Sequence, residues 1–105
     1  MRDDEQASFR RDDEPAAPRL VVTGEIDLAV AGTFASEVKH LLGDAHSPAL
    51  LDLTGVTFFN STGIGVLSDA AAEARRRGIE LIIQASAHVR RTVEITGLSE
   101  YFDLR

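Results

Sequence analysis

The chain has no cysteine and no tryptophan among its 105 residues. Without thiols there is no disulfide frame, no thiolate nucleophile and no cysteine metal site. Long hydrophobic runs are missing too; none approaches the roughly 20 residues a membrane-spanning helix needs. The opening MRDDEQ has no apolar core of the kind a secretion signal requires. Basic residues are scarce relative to acids, 11 against 17, for a formal net charge of -6. That balance argues against nucleic acid and against anionic lipid, both of which attract basic surfaces. Together these absences lead to the expectation of a cytoplasmic protein with no nucleic-acid or membrane partner.

What is present is ordinary. At 44% hydrophobic and 27% charged residues, the composition is that of a soluble globular domain. A chain of this length suits one small domain that buries roughly 60–65% of its unfolded surface. Residues 1–18 are charged and carry Pro15 and Pro18. They read as a solvated segment in which Ala7 to Arg10 can form a short edge strand with Phe9 pointing inward.

From Arg19 the pattern is regular. Leu20 to Thr23 reads as a buried strand that Gly24 ends. Asp27 stands where a helix N-cap belongs. After it Ala31, Phe34, Ala35, Val38, Leu41 and Leu42 draw one apolar stripe on a helix closed by Gly43 and the Asp44 to Pro48 stretch. Ala49 to Leu53 reads as a second buried strand, Thr54 to Asn60 as a loop. A second helix follows, with Ile64, Leu67, Ala71 and Ala74 on one face, Arg75 to Arg77 in its last turn and Gly78 as its stop. Leu81 to Ile83 gives a third strand, Ala87 to Thr96 a third helix stopped by Gly97, and Tyr101 to Leu104 a last strand. Alternating strands and helices predict an α/β domain over residues 19–105 with a mostly parallel sheet of four to five strands and about three helices. Strands apolar throughout predict cover on both faces or a protected central place in the sheet.

Candidate chemistry is sparse. His40, His46 and His88 lack the spacing of a zinc site, and Glu25, Asp27 and Asp52 could bind a metal only if folding brought them together, so neither a metal nor a cofactor is expected. Ser61 lies in Asn60-Ser61-Thr62-Gly63, not in the Gly-x-Ser-x-Gly elbow of hydrolases, and no base is placed for it, so no enzyme activity is expected. Gly63-Ile64-Gly65 lacks the lysine and spacing of a phosphate loop. Its simpler explanation is a tight turn at Gly63 and close helix–sheet packing at Gly65. Asp52 reads as an acceptor of backbone N–H groups near its strand end. Ser61 and Thr62 remain, at the start of the second helix. There a hydroxyl can cap the helix, and a phosphate on it would meet unpaired N–H groups and the positive dipole end.

Gly24-Glu25-Ile26-Asp27, Leu51-Asp52-Leu53-Thr54-Gly55-Val56, Phe59-Asn60-Ser61-Thr62-Gly63, and Gly97-Leu98 with Phe102 together resemble a STAS domain of the anti-sigma factor antagonist type, in order and separation over residues 19–104. The resemblance implies a non-enzymatic switch. Such antagonists bind an anti-sigma factor with a histidine-kinase-type ATPase fold and free the sigma factor. The same kinase ends the binding by phosphorylating a serine, and a separate serine phosphatase restores it. By position Ser61 matches the phosphoacceptor, with Thr62 a lesser candidate. Glu25, Asp27, Asn60, Ser61, Thr62 and Ile64 fall on the implied partner surface. Family phosphoacceptors usually follow an aspartate; Asn60 keeps its hydrogen-bonding shape without the charge. Many members also carry a helix after the last strand, where this sequence ends. The same fold also implies an alternative, a non-switching interaction module in a stress-signalling or lipid-transport complex.

Overall fold

A computed structural model describes residues 6–14, 17–44 and 48–105. His46 and Pro15, and with them parts of the expected first turn and of the stretch after the first helix, lie outside these residues. Strands β1 (Ala7–Arg11), β2 (Arg19–Ile26), β3 (Ala49–Phe59), β4 (Leu81–Ala85) and β5 (Asp103–Leu104) form one sheet in that spatial order. Helices α1 (Ala31–Asp44), α2 (Ser61–Arg77) and α3 (Ala87–Thr96) connect β2 to β3, β3 to β4 and β4 to β5. β1 pairs with β2 antiparallel, and the other neighbours are parallel.

The strands alternate where apolar runs suggested two covered faces. Leu20 and Val22, Leu51 and Leu53, and Leu81 and Ile83 are buried, whereas Val21, Leu50 and Ile82 are only half-buried. The buried set joins Phe34, Val38 and Leu41 of α1, Leu67 and Ala74 of α2, and Val89 and Val93 of α3 in one core. One sheet face is therefore packed against helices, and β-branched or leucine side chains on the other are shielded mainly by their strand neighbours.

Two strands run further than the composition suggested. Gly24 does not end β2; it sits inside the strand at φ +93. A Cβ there would lie 2.2 Å from the Gln6 carbonyl oxygen, so glycine lets β1 close onto β2. The β2–β3 register shifts on either side of this point, between Val21 and Thr23 and between Gly24 and Glu25, which is how an irregular strand continues past a glycine. β3 takes in the expected loop 54–59. Buried Val56 and Phe59 alternate loosely with exposed residues, and this stretch pairs with β2 up to Ile26–Phe59.

The α2 and α3 stops are as expected. Gly78 and Gly97 are left-handed at φ 71 and φ 77 and donate their N–H groups back to the last turns. Asp27 does not cap α1 directly. Its Oδ1 accepts from Ala29 N at 3.0 Å and its carbonyl from Val30 N at 3.2 Å, so it closes a turn one step ahead of the helix. Phe34 in α1 then stacks on Phe9 of β1 at 6.2 Å and meets Phe59 edge-on at 6.3 Å. Such pairs add about 0.5–1.5 kcal/mol each beyond burial. They fix the end of β3, and hence the start of α2, against the first half of the chain.

Candidate functional site

The site forms where β3 passes into α2. Asn60 is the N-cap: its backbone is extended, and its side-chain Oδ1 accepts from Thr62 N at 3.0 Å. Ser61 is thereby the first helical residue, one place inside the cap, and it is exposed. No described residue bonds its hydroxyl. The serine is thus relieved of the capping role that sequence left open for it, and the asparagine performs it.

Neither nearby glycine keeps the role expected of it. Gly63 needs no unusual backbone; its place is set by Phe59, whose ring atoms Cε1 and Cζ would lie 2.6 Å from a Cβ. Gly65 is exposed and faces open space. Close packing therefore occurs at the third residue of the helix and not at the fifth. Ile64 is 6% exposed and belongs to the core; it supports the helix start from beneath. Thr62 is half-buried, where Ser61 is exposed.

The remaining expected residues come together from β2. Ile26 opposes Phe59 and Glu25 opposes Phe58 in the sheet, which brings Glu25 and Asp27 beside the α2 start. Neither acid pairs with a cation among the described residues. Thr92 of α3 was not foreseen. Its hydroxyl lies 2.9 Å from the Phe59 carbonyl and 3.0 Å from the His88 carbonyl. With one proton, it can donate to only one of them at a time. This contact joins residues 33 apart and has no local signature. His88 and His40 stand apart on exposed helix surfaces, and no group of metal-ligating side chains occurs among the described residues.

Asp52 is remote from the helix start and is a structural acid. Its Oδ1 accepts from Thr54 N at 2.9 Å and Thr54 Oγ1 at 2.6 Å, and its Oδ2 from Arg19 Nη2 at 3.1 Å. Burial pushes its carboxyl up, but the Thr54 bonds and the Arg19 guanidinium together hold it below the usual range.

The family model described as Mlab, STAS domain, matches residues 9–105. The chain belongs to the STAS domain family. An anti-sigma-B factor antagonist of Listeria monocytogenes is 32% identical over 87 residues, 82% of this chain and 76% of that protein. Among solved structures, an anti-sigma factor antagonist from Mycobacterium paratuberculosis superposes with a TM-score of 0.84 at 23% identity, covering 99% of this chain and 89% of that one. The Bacillus cell fate determinant SpoIIAA in its phosphorylated form superposes with a TM-score of 0.69 at 15% identity, covering 93% and 91%. At those identities the structural matches speak for the STAS fold. No helix among the described residues is long and apolar enough to cross a membrane.

Proposed function

We propose that this STAS domain is an anti-sigma factor antagonist, switched at Ser61. It binds a cognate anti-sigma factor with a histidine-kinase-type ATPase fold through Glu25, Asp27 and the start of α2, and so releases the sigma factor. Phosphorylation of Ser61 by that kinase ends the binding, and a serine phosphatase restores it. The chain itself works as a cytoplasmic regulator without catalysis of its own.

The observation that carries this reading is the division of labour at the helix start. Asn60 holds the cap, so the exposed Ser61 hydroxyl is free to react. A phosphate there adds about −1.5 to −2 charge near neutral pH. On the free domain the α2 N-terminus accommodates it. Against a partner it would be desolvated next to Asp27 and Glu25, and each ~1.4 kcal/mol of penalty is tenfold in affinity. The relatives' names and the phosphorylated fold neighbour support the same reading.

Asn60 favours one rival, a non-switching STAS module, since it lacks the charge that usually precedes the phosphoacceptor. Incubation with the cognate kinase and labelled ATP separates the two. Wild type should take up label and Ser61→Ala should take up none; equal labelling of both defeats the assignment. Ser61→Asp should weaken kinase binding with little change in melting temperature.

A further inference from the structure

Among the described residues four large apolar side chains stand exposed: Leu28, Phe58, Ile95 and Tyr101. Tyr101 has a local explanation. Its ring lies 4.1 Å from the Arg75 guanidinium and meets Phe102 edge-on. The other three have none, with Leu28 and Ile95 each 78% exposed and Phe58 46%. A single exposed apolar residue is unremarkable, but several at one end of a small domain mark a contact surface.

All three lie on segments that flank the β3–α2 junction. Ile26 and Phe59 oppose one another in the sheet, so Leu28 and Ser61 each stand two residues beyond a paired position. Phe58 opposes Glu25. Thr92 touches the Phe59 carbonyl, and Ile95 lies three residues further along that flank of α3. On the β2 side the group is bordered by the two unpaired acids, Glu25 and Asp27.

We infer that Leu28, Phe58 and Ile95 are the anchors by which this surface docks the anti-sigma factor, whose matching face is an apolar socket with basic side chains opposite Glu25 and Asp27. The inference rests on the function proposed above and adds where the binding energy comes from. Interfaces draw most of their affinity from a few central desolvated side chains, while rim charges govern steering and discrimination. A second copy of the chain is a poor occupant. A two-fold contact sets a patch against itself, which here would oppose Glu25 and Asp27 to their own copies on a molecule already at net charge -6. An anionic membrane meets the same repulsion. The arrangement also explains why a phosphate at Ser61 would be decisive: it would sit amid side chains that must be stripped of water.

The rival surface is the groove of about 550 Å³ between α1 and α2, lined by Val38, Lys39, Leu42, Val66, Asp69 and Glu73 among others. It runs along the helices away from the α2 start. Calorimetric titration of the full chain with each purified anti-sigma factor kinase of the source genome decides between them. Leu28→Ala, Phe58→Ala and Ile95→Ala should each weaken binding about tenfold or more, with melting temperatures near wild type, and Lys39→Ala should bind as wild type. Wild-type affinity in the three apolar variants, or a loss confined to Lys39→Ala, overturns the anchors and leaves the proposed function standing. A wild-type chain that binds none of these kinases overturns the proposed function and the anchors with it. Sedimentation supplies the remaining readout: a wild-type dimer that Phe58→Ala dissolves would assign the patch to a second copy and overturn the inference.

Discussion

α2 and α3 begin alike, and their difference isolates what is special at Ser61. Each follows a parallel strand, and each is capped by a side-chain oxygen, Asn60 Oδ1 to Thr62 N at 3.0 Å and Ser86 Oγ to Val89 N at 3.3 Å. In α3 the serine is itself the cap and its oxygen is engaged. In α2 the serine is displaced one residue inward, and its oxygen is unengaged. Both helices also bury their third residue. Val89 sends a side chain into the core, whereas Gly63 gives that volume to the Phe59 ring. Thus two helix starts with the same cap chemistry differ in outcome, one engaging its serine in a structural joint and the other leaving an exposed hydroxyl on a rigid base.

The comparison breaks most sharply at the third position. Gly63→Ala places a methyl 2.6 Å from the Phe59 ring. The ring is pinned by Phe34 and cannot yield freely, so thermal unfolding should show a loss of about 1–3 kcal/mol. Val89→Ala should cost a comparable amount for the opposite reason, an emptied site of about 1–3 kcal/mol; no loss in either variant would contradict the packing described.

Removing the caps comes next. Asn60→Ala and Ser86→Ala should each lower stability by about 1 kcal/mol in chemical denaturation. Asn60→Asp should retain the cap and gain a few tenths of a kcal/mol or more, roughly 0.3–1, from the helix dipole. A marked loss in Asn60→Asp would mean that the amide, and not its oxygen, is what the site requires.

The leading strands sharpen the contrast further. Asp52 of β3 and Gln84 of β4 oppose one another, and only the acid has its oxygens matched; Gln84 Oε1 is buried without a partner. Because the folded-state carboxyl of Asp52 is held below its ordinary value, its stabilisation is complete above the unfolded pKa of about 3.9 and disappears as pH falls through the lower folded value. Stability curves between neutral and strongly acid pH should therefore fall less steeply at the acid end for Asp52→Asn than for wild type. The last expected effect is again a gain. Gly65→Ala meets open space inside α2 and should add about 0.5–1 kcal/mol.

Much of the frame was readable in the residues, because it rests on local rules. The helical stripe of Ala87 to Thr96, the left-handed stops at Gly78 and Gly97, and inward Phe9 in an edge strand follow from periodicity and backbone sterics. The misreadings share one cause, which is that distant neighbours decided them. Gly24 was read as a strand end, yet β1 lying across it makes glycine the residue that permits pairing. The stretch 54–59 looked like a loop because its alternation is diluted by threonine and glycine, and only pairing with β2 makes it a strand. At the site, Ser61 and its neighbours were legible as a motif. Which residue capped and which was free was not, since that turns on one hydrogen bond to Thr62 N. Ile64 was read from periodicity on the apolar face of its helix and was put on the partner surface by resemblance alone; the fold buries it. Thr92 and Ile95 carried no signal at all: their significance is a matter of which elements the fold brings together and which face it leaves bare.

The overhang of β3 has a consequence of its own. β4 pairs with β3 only as far as Leu53, so on that side residues 54–59 present the rim of a sheet without another strand. α3 lies along this rim, and the Thr92 hydroxyl reaches the Phe59 carbonyl there. The rim carries Val56-Thr57-Phe58-Phe59, a β-branched and aromatic run of the kind that recruits other chains when laid open. α3 therefore covers an edge that would otherwise be open to pairing with another strand. Fraying of that one helix would leave a sticky edge directly beside Ser61.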